Sequence, residues 1–331
     1  MAPLESAFQR LEFTTATDLF GGTGAVSFLL KRLGKATWFN DVLPSSHVAG
    51  VALIENVATR LEPARAEALF VRVPSRSYPS VVERAFASVF FKDEENRFID
   101  TVAVNVAAMP DRFERALAAW SLNQACLMKR PFNLFHRKNL ALRTREVTRS
   151  FGNKATWERP FEALFLASLE SANRAVFDGG APCRATALDA TTCSIDADLV
   201  YLDPPYVRGD GATFDYADGY HFLDGLAEYD TWEARIDHSK KHLPLSRPRS
   251  PFVDARTAKA ALFDVLDRAR DAHIVLSYRE DGLPSIDELA QCLVKLGRHP
   301  ELIVTDARPY ALSRRASREV TVIAPGKRRS S

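Results

Sequence analysis

Long apolar runs are missing from this chain of 331 residues. No stretch approaches the roughly 18 to 20 consecutive apolar residues that a membrane span needs. The opening MAPLESAFQRLEF has acidic residues and no apolar core ahead of a small-residue cleavage site, so it does not read as a secretory signal. Cysteine is scarce too. Cys126, Cys183, Cys193 and Cys292 are far apart with no CxxC pair, which argues against a disulfide framework and a zinc site and points to a reducing, cytoplasmic setting. The seven histidines show no ligand spacing, so no metal is expected. Internal repeats and low-complexity tracts are absent, and nothing selects an oligomeric state.

Charge of one sign is also lacking overall, since 44 Lys and Arg face 42 Asp and Glu. Its distribution is less even. Between Lys129 and Arg159 stand Lys129, Arg130, Arg137, Lys138, Arg143, Arg145, Arg149, Lys154 and Arg159 against only Glu146 and Glu158. Interleaved with Phe132, Phe135, His136 and Trp157, this block fits either a solvated surface or one that meets phosphates and stacked bases.

What is present has a clear order. TTATDLF (14–20) reads as a β-branched strand running into Gly21-Gly22-Thr23-Gly24. AVSFLLKRLG follows at helical spacing with Gly34 as a stop, and ATWFN is a second strand ending at Asp41. From about 45 to 185 the pattern is mainly helical, in pieces such as DRFERALAAWSLNQACL and RPFEALFLASLESANRAVF. Strands return at ATALDA and at ADLVYLDPPY. Then come a helical FLDGLAEYDTWEARI, a loop HLPLSRPRSPFVDAR, a helix TAKAALFDVLDRARDA and the strand HIVLSY. A helix SIDELAQCLVKLG precedes a terminal strand pair, LIVTDARPYAL and REVTVIAP, joined by the basic turn SRRASR. Alternating strands and helices with a helical insertion make an α/β protein with a second, smaller domain.

Two loops carry the chemistry. Glycines after a first strand let a ligand approach the backbone closely. The third glycine of the dinucleotide fingerprint is replaced by Ser27, which favours a cofactor without a diphosphate. Asp41 is placed to accept hydrogen bonds from the two ribose hydroxyls of an adenosine; a tight turn with a capping Asp is the structural alternative. The second loop is Asp203-Pro204-Pro205-Tyr206, directly after an apolar strand. A carboxylate and a carbonyl there can accept both hydrogens of an amino group, and Tyr206 offers a flat face for an aromatic base. A rigid post-strand loop is the plainer alternative.

DLFGGTGAVSFLLKRLGKATWFND and DLVYLDPPY resemble the cofactor-binding and catalytic segments of the Dam-like, α-group adenine-N6 DNA methyltransferases. The likeness extends through LMKRPFNLFHRKNLALR and IVLSYREDGLPS, and so covers most of the chain. It implies a Rossmann-like S-adenosylmethionine-dependent methyltransferase sheet with an inserted, mainly helical target-recognition domain. The expected division is 1–60 for cofactor binding, 61–185 for the insertion and 186–331 for the catalytic part. By the same resemblance Asp18, Phe20, Gly21, Gly22, Gly24 and Asp41 bind S-adenosylmethionine, and Asp189 contacts its adenine. Asp203, Pro204, Pro205 and Tyr206 hold the target base, with Ser277 and Tyr278 as a wall. Family members usually begin with a YxGxK segment at the cofactor's methionine end; MAPLESAFQRL resembles the helix after it.

The implied reaction is site-specific methylation of a flipped-out adenine in double-stranded DNA, of a restriction-modification or orphan and phage type. Arg130, Arg137, Lys138, Arg143 and Arg145 are the candidate phosphate contacts, HLPLSRPRSPF is either a second DNA-facing loop or a connector, and His136 and His221 are structural or DNA-facing. The rival readings are an RNA or other amino-group methyltransferase, a non-catalytic DNA-binding module that retains the fold, and a nicotinamide-dependent oxidoreductase.

Overall fold

The computed structural model describes residues 2–145, 154–305, 308–309 and 316–326. The chain divides into two compact units, one formed by Met1–Val42, Gly179–Asp215 and Pro248–Ser331, the other by Leu43–Asp178 and Tyr216–Arg247.

The first unit is built on a seven-stranded sheet. Its strands are β1 (Thr15–Asp18), β2 (Ala36–Asn40), β3 (Cys183–Thr186), β4 (Leu199–Leu202), β5 (His273–Arg279), β6 (Glu301–Val304) and β7 (Glu319–Ala324). They lie in the order β3-β2-β1-β4-β5-β7-β6. The first five are parallel, and β7 runs antiparallel to both β5 and β6. A separate two-residue ladder joins Arg308–Pro309 to Ala316–Ser317. The expected terminal strand pair is therefore β6 and β7, while the first half of its basic turn, 313–315, lies outside the described residues.

Both faces of this sheet are covered, so its central strand is a continuous apolar run rather than an alternating one. All four residues of β4 are buried. Val200 and Leu202 pack with Leu262, Val265 and Leu266 of the helix Ala258–Arg268 and with Leu289 and Leu293 of Ile286–Lys295. Leu199 and Tyr201 point the other way, onto Phe8 of the helix Ala2–Gln9 and Leu29 and Leu30 of Ala25–Arg32. The start of Ile286–Lys295 is closed by a capping box, in which Ser285 accepts from the Glu288 amide and Glu288 accepts from the Ser285 amide.

The second unit is helical. Its long elements are Asp93–Ala107, Arg112–Met128 and Phe161–Ala175. Asp111 caps the second by accepting from the amides of Phe113 and Glu114. The core is aromatic. Phe135 stacks on Phe222 at 4.8 Å and Phe86 on Phe90 at 5.7 Å, while Phe86, Phe90, Phe91 and Trp232 pack edge-on or tilted around Phe222. Phe222 and Trp232 come from the segment FLDGLAEYDTWEARI. Burial of their rings places residues 216–247 in the helical unit, whereas the sequence allotted them to the catalytic part. The unit also begins at Leu43 rather than 61 and ends its first segment at Asp178 rather than 185.

Among the described residues no helix is long and apolar enough to cross a membrane, and no three His, Cys, Asp or Glu side chains are grouped to hold a metal ion.

Candidate active site

Every residue expected to bind the cofactor or the target base falls within the first unit. The strand order reverses between β1 and β4, which pair in parallel with Asp18 opposite Tyr201. Such a reversal opens a crevice beyond the carboxyl ends of the strands, where open α/β sheets bind ligands. The glycine loop follows β1, and the Asp-Pro-Pro-Tyr loop follows β4.

The glycine loop is shaped by close approach. A Cβ on Gly21 would fall 2.2 Å from the Phe39 ring, and Gly24, at φ +81°, opens the helix Ala25–Arg32 from a left-handed conformation. The Gly21 amide donates to Asn40 O at 2.8 Å, and the Gly22 amide donates to Asp41 Oδ2 at 2.8 Å. Phe20 meets Phe252 edge-on at 5.0 Å.

Asp18 is almost fully buried. Its Oδ2 accepts from the Ser27 amide at 3.2 Å and the Ser27 hydroxyl at 2.7 Å, while its Oδ1 has no partner. Burial raises its pKa to about 7; the Ser27 bonds pull it down, and the charges of Asp203 and Asp41 push it further up. An ionised, half-satisfied carboxyl in such a place is costly until a donor or a positive charge arrives.

Asp203 is solvent-accessible. The protein atoms crowding it nevertheless raise its pKa to about 6; the Tyr206 hydroxyl, which donates to Asp203 Oδ1, opposes the rise, and Glu319 adds to it. The Tyr206 ring is held edge-on to Tyr278 at 5.5 Å, and its carbonyl accepts from the Thr213 hydroxyl at 3.0 Å. The two residues expected as a wall are both anchored. Ser277 Oγ accepts from Tyr201 at 2.8 Å, and the Tyr278 hydroxyl donates to Leu283 O at 2.8 Å.

Asp189 lies in the loop after β3, not on a strand, because β3 ends at Thr186. It is exposed, and its Oδ1 accepts from the Thr191 amide and hydroxyl at 2.8 and 2.7 Å.

Two positioning residues escaped the sequence reading. Asn40 is fully buried and ties three strand ends together: its Nδ2 donates to Leu19 O and Leu188 O, and its Oδ1 accepts from the Thr186 hydroxyl and the Leu188 amide. Its only signal was a polar residue closing an apolar strand. Ser27 was noted for the glycine it replaces, yet its hydroxyl is the partner of Asp18.

The basic block is divided by burial. Arg137, Lys138 and Arg145 are exposed. Arg130 and Arg143, by contrast, are buried and bonded to protein partners, which is not the exposure expected of phosphate contacts. Arg143 grips both oxygens of Glu95 at 2.9 and 2.6 Å, and Lys129 joins the same carboxylate at 2.8 Å. Arg130 is spent on the carbonyls of Leu134, Phe90 and Arg137. Arg149 and Glu146 lie outside the described residues. His221 is buried against Phe135 O, with its pKa lowered to about 3 chiefly by burial, so it is a structural group. In HLPLSRPRSPF, Leu245 is buried and Arg247 is bound to Asp224 at 3.1 Å.

A mostly parallel sheet in this order, with a glycine loop on one central strand and Asp-Pro-Pro-Tyr on the next, defines a Rossmann-like methyltransferase. The chain belongs to the D12 class N6 adenine-specific DNA methyltransferases, whose family model matches residues 4–264 and so spans both loops. It is similar to the type II methyltransferase M2.HphI of Haemophilus parahaemolyticus, 26% identical over 303 residues that cover 89% of this chain and 84% of the relative. The type II methyltransferase M.NlaIII of Neisseria lactamica is 23% identical over 306 residues, 91% and 85% of the two chains. The modification methylase StsI of Streptococcus sanguinis is 23% identical over 282 residues, 83% of this chain but 41% of the relative.

Proposed function

We propose that this methyltransferase uses S-adenosylmethionine to methylate the exocyclic amino group of an adenine flipped out of double-stranded DNA. The relatives' names favour a restriction-modification setting over an orphan or phage enzyme. The observation that carries the reading is the pair of loops on adjacent strands: a glycine turn beside the half-satisfied Asp18, and Asp203 with Tyr206 next to it.

The residues suit such a cofactor. Asp18 Oδ1 is an orphaned acceptor, a Cβ on Gly22 would meet only the Phe20 carbonyl at 3.9 Å, and Asp18, Asp41 and Asp203 together suit a ligand carrying positive charge. Asp18, Phe20, Gly21, Gly22, Gly24, Asp41 and Asp189 are the residues that would hold it. When bound, S-adenosylmethionine supplies an electrophilic methyl group on a cationic sulfur.

The chain's own residues do the rest. The Asp203 carboxylate accepts one amino hydrogen and the Pro204 carbonyl the other, which aims the nitrogen lone pair. Pro205 stiffens the loop, and Tyr206 stacks on the base. Catalysis is then mostly positioning, with Asp203 stabilising positive charge that develops on nitrogen. Unstacking the base costs a few kcal/mol, offset by these contacts.

The test is transfer of labelled methyl from S-adenosylmethionine to unmethylated double-stranded DNA, followed by nucleoside analysis. N6-methyladenine is expected from the wild type, and an Asp203→Ala variant should lose it. Label in cytosine, in RNA alone or in no nucleic acid would overturn the reading.

A further inference from the structure

The chain does not leave the site at Tyr206. It runs into a short hairpin, in which Val207 pairs with Thr213, the Arg208 amide donates to Ala212 O at 2.8 Å and the Thr213 hydroxyl holds the Tyr206 carbonyl. The turn after β5 lies along the other side of this hairpin. There the Leu283 amide donates to Val207 O at 2.7 Å, the Gly209 amide donates to Asp281 O at 2.9 Å, and Arg208 pairs with Gly282. Tyr278, near the end of β5, closes a circuit. Its hydroxyl donates to Leu283 O at 2.8 Å, and its ring meets the Tyr206 ring edge-on. Tyr206 is thus held from two directions, through the backbone of Val207 and through the Tyr278 ring.

Tyr278 is only 1% exposed, so its ring has no face left to offer a base. What it touches is protein. A Cβ on Gly282 would fall 2.3 Å from Tyr278 Cε1, inside any real contact distance, so the ring rests directly on the glycine backbone. A side chain at 282 would push that ring aside, and the Tyr206 ring is its edge-on partner. An edge-on pair ties the two planes to one angle. Tyr206 itself is only half-buried. The ring with a free face is held by one that has none.

We propose that Gly282 and Tyr278 are positioning residues for methyl transfer, setting the plane of the Tyr206 ring on which the target adenine stacks. The turn after β5 acts on the base through Tyr206 and not by touching it. A tilted stacking face would aim the amino nitrogen away from the methyl group, and misplacement of that kind is felt in the rate of the chemical step. The inference rests on the role given to Tyr206 above.

The experiment follows single-turnover methylation of unmethylated plasmid DNA across a range of S-adenosylmethionine concentrations, which separates the saturating rate from the half-saturating concentration. Gly282→Ala and Tyr278→Phe are each made in the wild type and in a Tyr206→Ala background. Tyr206→Ala alone should slow transfer about tenfold or more, as loss of a stacked ring does. Gly282→Ala should also slow the saturating rate about tenfold, with the half-saturating concentration within about twofold of wild type. In the Tyr206→Ala background it should cost less than about twofold further, because the ring through which it acts is gone. Tyr278→Phe keeps the ring and loses only the bond to Leu283 O, so a loss of about threefold is expected, again absent in the Tyr206→Ala background. Gly282→Ala at the wild-type rate would overturn the proposal. So would an equal loss in both backgrounds, or a loss confined to the half-saturating concentration, since either marks a merely structural role. Where Gly282→Ala yields no folded protein, Tyr278→Phe decides by the same comparisons. Tyr206→Ala at the wild-type rate would take Tyr206 off the base and the proposal with it. A wild-type chain that methylates no DNA would overturn the wider reading, and both of those results come before residue 282 is changed.

Discussion

Glu95 of the helical unit and Asp18 of the sheet unit are both buried carboxylates, and their surroundings are opposite. In the helical unit Glu95 receives Arg143, Lys129 and the Lys92 amide. Burial pushes its pKa up, but the bonds from Arg143 and Lys129 outweigh that and hold it below the ordinary value. In the sheet unit Asp18 has only Ser27, an oxygen without a partner and two further carboxylates acting on it. One arrangement is complete and reads as scaffold. The other is short of positive charge, the property that suits it to the cationic ligand proposed above.

The difference can be broken at the complete end first. Glu95→Ala strands two buried cations, and removing one side of such a cluster costs about 3–5 kcal/mol. A lowered denaturation midpoint is expected, and an unchanged one would mean that the cluster is not scaffold.

Asp203→Ala should do the reverse, leaving the denaturation midpoint in place while methyl transfer falls by about 10²–10³. The wild-type profile sharpens this. Only ionised Asp203 carries the negative charge that stabilises the developing positive charge on nitrogen, so kcat/KM should decline as pH drops through about 6, approaching tenfold per unit below it. An activity that is flat from pH 5 to 8 would remove Asp203 from this role.

Asp18 predicts a smaller effect on the ligand-free protein. Its folded pKa of about 7 lies above the unfolded value of about 4, so the folded state holds this proton more tightly. Its contribution to stability is present at low pH and is lost as pH rises through that window. Asp18→Asn should flatten this part of the stability profile while weakening cofactor binding. Denaturation at pH 5 and pH 8, with calorimetry of S-adenosylmethionine binding, measures both.

The smallest effect divides the basic residues. Replacing Arg137 and Lys138 by Gln should weaken DNA binding and lower the salt slope by about one for each phosphate that is no longer neutralised. Arg143→Gln should lower stability instead, a contrast that gel-shift titrations across salt and a denaturation curve can read.

How much of this was legible beforehand follows from the range of the interactions involved. Apolar periodicity, glycine turns and a Pro-Pro loop act over a few residues, so the opening β-loop-α-β unit, the helical pieces and the two chemical loops could be read along the chain. Asn40 and Ser27 could not be assigned roles, because their partners reach them across other strands or one turn down a helix. The same holds for FLDGLAEYDTWEARI, whose helices were readable but whose place in the aromatic core was not.

By itself, then, the sequence determined the order of elements and the identity of the groups that can do chemistry, since both are written in local residue type and spacing. Only the tertiary structure decided which charges face inward. Arg143 and Lys129 are drawn from the surface by Glu95, 48 and 34 residues away in the chain, and Arg130 by carbonyls and aromatic rings packed around it. Burial is a property of packing, and no count of charges along the chain contains it.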